Sequence, residues 1–211
     1  MVQRPEAARA RPAGAWIAVL VWCAVAGYFA FVRSQRVPLI SLADLGFHEL
    51  GHLIMYVFPI NRILTAAMGS IMQCAVPLGL AGYFGWYRRD SLAMVACLAW
   101  GATNFQDASV YIADAPYQRL ELIGGEHDWA FVLGHEGLDR MHQAAQIAST
   151  VRGIGVLILI VAIGLGVSGL LRAFSTPAPN PGGATAAMPG DLWPTASRMP
   201  SSDRDHPNTR W

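Results

Sequence analysis

From residue 13 to residue 32 the chain runs for 20 positions without a charged side chain. At 1.5 Å per residue, a helix of that length spans the ~30 Å hydrocarbon core of a bilayer. Four more apolar runs follow, at 39–58, 63–87, 91–113 and 153–171. Backbone inside hydrocarbon must satisfy its own hydrogen bonds, so such runs fold as helices. Composition agrees: 14% of the residues are charged, where a soluble domain carries about 25%. The expectation is an all-α, polytopic integral membrane bundle of about five spans. A polar segment, 1–12, precedes the membrane-embedded unit at 13–172. Residues 173–211 hold seven of the thirteen prolines among Ser, Thr, Gly and Ala, the composition of a disordered tail.

The first run has a basic start, as a signal peptide would, but it is long for one and no clear cleavage pattern follows; a retained helix is expected. Pro38 and Pro59 bound the second run, where proline is tolerated. The third contains Gly69, Ser70, Gln73 and Pro77, so it is expected to kink or re-enter. Arginines near the span ends number seven on one side and five on the other when the N-terminus is inside, which favours a cytoplasmic N-terminus. Every basic residue is arginine, and Ala, Gly and Pro abound. That bias suits a GC-rich bacterial genome and hence a bacterial inner membrane. A net charge of +1 gives no argument for a nucleic-acid partner. Cys23, Cys74 and Cys97 all lie in apolar runs and read as core residues rather than disulfides.

The chemistry sits in the second run, which reads His48-Glu49-Leu50-Gly51-His52. In H-E-x-x-H two imidazoles one helical turn apart ligate one ion, and the glutamate handles the proton of the attacking water. Burying two histidines and a glutamate at membrane depth is costly, so unused copies there should be rare. A zinc catalyst takes three protein ligands and keeps a fourth position open. Asp107 is the first choice for the third, because it lies at the same fractional depth of its run as His52. Two alternatives stay open. His127 or Asp128 could ligate if the 115–150 connection folds back into the bundle, and Asp114 lies at the rim. Asp44, four residues before His48, is a candidate to hold the non-ligating nitrogen of His48. Asn104, Asp107, Tyr111 and Asp114 share one polar helical face. His135 and His142 read as solvated loop histidines. A di-iron centre of the fatty-acid hydroxylase type needs more histidine boxes than the six histidines here provide.

The order of H-E-L-G-H in a membrane helix, then Gly69-Ser70-Ile71-Met72-Gln73, then a later intramembrane aspartate resembles the site-2 protease family of intramembrane metalloproteases. The resemblance covers roughly residues 39–114. Gly69 and Gln73 keep the spacing of that family's glycine and amide, with Ser70 where proline is usual. Asn104 and Asp107 stand in place of its third-ligand motif, without the proline or the Asp-Gly. Residues 111–115 and 124–129 look like segments of a divergent bacterial branch. The resemblance implies a zinc peptidase that cuts a peptide bond in or near a membrane segment of a substrate protein. Glu49 would be the base, and Gln73 or a backbone amide of 69–73 would support the oxyanion. The alternative is a metal-binding membrane protein without proteolytic activity that binds a partner helix or aids assembly.

Overall fold

The computed structural model describes residues 11–58, 61–122 and 126–175. All five expected runs form helices. Helix α1 is Ala13–Gly27, continued by a π-helical turn at Tyr28–Val32. Helix α2 is Ile40–Val57. Helix α3 is Arg62–Gly82, with a π-helical turn at Tyr83–Tyr87, and α4 is Ser91–Asp114. The short α5, Asp128–Leu133, interrupts the long connection, and a 3₁₀ turn at Met141–Gln143 leads into α6, Ala144–Ser175. The last helix is therefore longer than the apolar run that announced it. The tail beyond 175, Pro59 and Gly124-Gly125 lie outside the described residues.

Among the described residues three helical segments are long and apolar enough to cross a membrane: Ala13–Val32, Arg62–Tyr87 and Met141–Ser175. The stretches α2 and α4 fall short of that measure. Their deficit is the polar set that drew attention in the sequence: Asp44, His48, Glu49 and His52 in α2, and Asn104, Gln106, Asp107 and Asp114 in α4.

Capping explains the starts of α3 and α4. The Asn61 side chain accepts from the backbone N–H of Ile63 and Leu64, at 2.8 and 3.3 Å. Asp90 does the same for Leu92 and Ala93, at 3.2 and 3.3 Å. Each supplies an acceptor for first-turn donors that have no intrahelical partner. Pro77 lies inside α3, which runs unbroken past it. Proline cannot donate to the carbonyl four residues back, here that of Gln73. Asn104 Nδ2 of α4 donates to that carbonyl instead, at 2.8 Å. The proline thus frees an acceptor on α3, and α4 fills it from beside the site.

The central helix is α4, packed against α1, α3 and α6. One core cluster joins Trp16, Val19 and Cys23 of α1 to Val95 and Ala99 of α4 and Ala162 of α6. A second joins Ile112 and Ala115 to Val132 and Leu133 of α5 and Ala144 and Ala148 of α6. The buried face of α6 is made of alanines and glycines only, which lets backbones approach closely. A Cβ at Gly155 would lie 2.9 Å from the Ala102 carbonyl oxygen and 3.0 Å from Phe105 Cβ. Gly155→Val is therefore expected to overpack the α4–α6 contact and cost about 1–3 kcal/mol. Thermal unfolding in detergent should show a lower Tm; an unchanged Tm would refute the close contact.

Candidate metal centre

Helix periodicity puts His48 and His52 of α2 on one side, with ring centroids 4.9 Å apart. Helix α3 crosses them closely, because a Cβ at Gly51 would run into the Met68 carbonyl. The outer nitrogen of each ring is held. His52 Nδ1 lies 2.9 Å from the Thr65 carbonyl oxygen, which can only accept, so Nδ1 carries the hydrogen. His48 Nδ1 lies 3.3 Å from Gln73 Oε1. The Gln73 amide cannot turn over freely, since its Nε2 donates to Asp107 Oδ2 at 2.9 Å and faces Asn104 Oδ1 at 3.5 Å. Its oxygen must face His48, so His48 Nδ1 also donates. Both Nε2 atoms then present bare lone pairs.

Those lone pairs converge on Asp128. Its Oδ2 lies 3.1 Å from His48 Nε2 and 3.3 Å from His52 Nε2. The three donors form one group with the spacing of a metal site. Two lone pairs and a carboxylate oxygen facing one another require a cation between them, either protons or a metal ion. The separations match the about 3.3–3.4 Å edge of a tetrahedral zinc site with bonds of about 2.0–2.1 Å. Space exists as well. A Cβ at Gly69 would stand 2.5 Å from both Nε2 atoms, so only glycine keeps the volume in front of the rings open. The residues therefore fit zinc in number, type and room.

Asp128 is the first residue of α5 and arrives because the long connection folds back. Tyr111 Oη of α4 accepts from Asp128 N at 3.0 Å and donates to its Oδ2 at 3.2 Å. His127 caps α5 through Nδ1, which accepts from Ala130 N at 3.2 Å. Trp129 Nε1 donates to Ser70 Oγ of α3 at 3.0 Å, and Arg62 lies over the Phe131 ring at 5.0 Å. Burial alone would raise the Asp128 carboxyl. With protons rather than an ion between the groups, His48 and His52 donate to it and outweigh that burial, holding it below the usual carboxylate range.

Several expectations need correction. Asp107 is not with the imidazole pair: Arg36 Nε donates to its Oδ1 at 3.1 Å and Gln73 to its Oδ2. The Arg36 charge holds that carboxylate apart from the pair. Asp44 does not hold His48; its Oδ1 accepts from Trp100 Nε1 at 2.7 Å. Gln73 holds His48 in its place, and with its amide hydrogens directed to Asp107 and Asn104 it has none left for an oxyanion. Asp114 caps the turn after α4 by accepting from Arg119 N and Leu120 N. His127 Nε2 faces Asp114 at 3.4 Å and is buried without a hydrogen bond, away from the imidazole pair. His135 and His142 are exposed. Tyr111 and the Thr65 carbonyl were not anticipated as site groups; Tyr111 left a trace as a member of the polar face of α4, and Gly69, matched to the family's glycine, serves by the space it leaves before the rings.

A cavity of about 270 Å³ opens onto the cluster. Among its lining residues are His48, His52, Asp128, Tyr111, Ser70 and the exposed Glu49. No protein-family model matches the chain, and no curated protein or solved structure matches it either.

Proposed function

We propose that this chain is a membrane-embedded, zinc-dependent peptidase that cleaves a peptide bond in or beside a membrane segment of another protein. The observation that carries the proposal is the convergence of the two Nε2 atoms and the Asp128 carboxylate in a cleft that also holds the exposed Glu49 carboxylate. His48, His52 and Asp128 hold the ion. Zinc supplies Lewis acidity, which polarises a carbonyl and lowers the pKa of a water. Gln73 and the Thr65 carbonyl keep both imidazoles turned to the ion. Tyr111 keeps Asp128 in place. Glu49 takes the proton of the attacking water and hands it to the leaving amine.

The setting supports a membrane substrate. Helix α4 packs among the three apolar helices, and α2 turns Leu42, Leu50, Leu53 and Val57 outward. In the proposed arrangement α2 and α4 are two further crossings in a bacterial inner membrane, with the N-terminus cytoplasmic on the arginine balance. The substrate segment must unwind at the cleft, because a helical amide is shielded by its own hydrogen bonds.

Glu49→Gln tests the enzyme reading. Zinc content is expected to stay at the wild-type level, since residue 49 is not a ligand. Hydrolysis of a quenched fluorescent transmembrane peptide in proteoliposomes should fall by about 10²–10⁴-fold, the share of a general base. Equal rates for the two proteins would overturn the role of Glu49. A wild type that binds zinc but cleaves none of a panel of membrane peptides would favour the non-proteolytic alternative.

A further inference from the structure

A hydrogen-bonded chain leads from the protein surface to the back of His48. Arg36, with its side chain 61% exposed, donates to Asp107 Oδ1 at 3.1 Å. Asp107 Oδ2 accepts from Gln73 Nε2 at 2.9 Å, and Gln73 Oε1 meets His48 Nδ1 at 3.3 Å. Asn104 steadies the middle, giving its Nδ2 to the Gln73 carbonyl that Pro77 leaves free.

We propose that Arg36, Asp107 and Gln73 form a polar relay whose task is to set the tautomer of His48, so that its Nε2 is bare toward the metal. Asp107 and Gln73 are positioning residues in this relay. The proposal rests on the metal-centre reading above. The direction of every hydrogen in the chain follows from its ends. A guanidinium can only donate, so Asp107 must accept from it. An ionised carboxylate can only accept, so Gln73 must offer it the NH₂ end. The amide oxygen is thereby aimed at His48, which must answer with Nδ1–H. A neutral imidazole has one hydrogen, and placing it on Nδ1 leaves Nε2 free to ligate.

The chain makes a prediction that packing alone would not. In Asp107→Asn, Arg36 still demands an acceptor, so the new amide turns its oxygen to Arg36 and its NH₂ to Gln73. Gln73 then reverses and offers Nε2–H to His48. The His48 hydrogen moves to Nε2, where it blocks the ion. Gln73→Glu alone sets two carboxylates against each other, within the 2.9 Å span that a hydrogen bond now occupies, and is also disruptive. The double variant Gln73→Glu/Asp107→Asn restores the polarity. The amide introduced at position 107 donates to the carboxylate introduced at position 73, and that carboxylate accepts from His48 Nδ1–H.

The test is Co²⁺ titration of the full-length protein in detergent against a competing chelator, read by the visible absorption of the bound ion. Apo-protein melting temperatures are recorded alongside to separate a lost ligand from a lost fold. Each single variant is expected to bind Co²⁺ about 10–100-fold more weakly than wild type, the usual cost of removing a ligand's outer partner. The double variant is expected to recover most of that affinity and the wild-type spectrum. Wild-type affinity in Asp107→Asn would overturn the relay. So would a double variant no better than the single ones. A wild type that binds no Co²⁺ would overturn the metal centre itself, and the relay with it.

Discussion

Gly69→Ala is expected to empty the metal centre of a protein that still folds. The methyl group would appear 2.5 Å from His48 Nε2 and 2.5 Å from His52 Nε2, inside any van der Waals contact and where the ion belongs. The ring tips are the far ends of their side chains and swing aside to make room, which gives up the hold of Gln73 on one and of the Thr65 carbonyl on the other and parts the two nitrogens. In a helix interior the same change ordinarily favours the helix by up to about 1 kcal/mol, because glycine is the more flexible residue. Apo stability and metal binding should therefore move apart. The melting temperature of metal-free Gly69→Ala should stay near that of the metal-free wild type. Zinc measured after dialysis should drop from one ion per chain to background, and hydrolysis with it. One ion retained per Gly69→Ala chain would show that the site does not use the space between the rings.

The architecture was legible because it depends on long averages. A run of 20 uncharged residues reads as a helix whatever its neighbours do, and all five runs do form helices. The membrane count was less legible for a physical reason. The residues that make α2 and α4 interesting also lower their hydropathy, so the elements most important to function carry the weakest span signal.

The site divides in the same way. His48 and His52 share a face by helix period alone, so their pairing could be read from spacing. The third donor could not. Depth along the axis favours Asp107, but the charge of Arg36 decides where that carboxylate goes, and Arg36 is not local to it in sequence. Asp44 has the right period relative to His48 and the wrong partner, because Trp100 on α4 supplies a donor that α2 cannot foresee. One local signal did point to Asp128. The stretch Trp129-Ala130-Phe131-Val132-Leu133 is an apolar island inside a polar connection. Burying it against α3 and α6 removes apolar surface from water, at about 25 cal/mol per Å². That burial folds the connection back and carries Asp128 in at its leading edge.

Asp128→Ala and Asp107→Ala, compared side by side, separate the two ways of completing the centre. In the structure Asp128 faces both Nε2 atoms, so Asp128→Ala removes the proposed third ligand and leaves two imidazoles. Its zinc affinity should fall well beyond the about 10–100-fold that follows loss of an outer hydrogen bond, and hydrolysis should reach background. Asp107→Ala breaks the relay behind His48 but leaves three ligands, so it should stay within that about 10–100-fold range and regain activity as zinc is raised. The order is the decisive quantity, because both residues are aspartates near one cavity and either change alone could disturb folding. Asp128→Ala also loses the bond from Tyr111 to the carboxylate, while its backbone N–H can still donate to Tyr111 Oη, so α5 keeps one anchor on α4 beside Trp129 on Ser70. Zinc titrations of the two variants against a fluorescent chelator give the order directly. If Asp107→Ala is the more severe loss and Asp128→Ala keeps a bound ion, the carboxylate that completes the centre is Asp107, and the fold-back of α5 is a packing feature with no part in the chemistry.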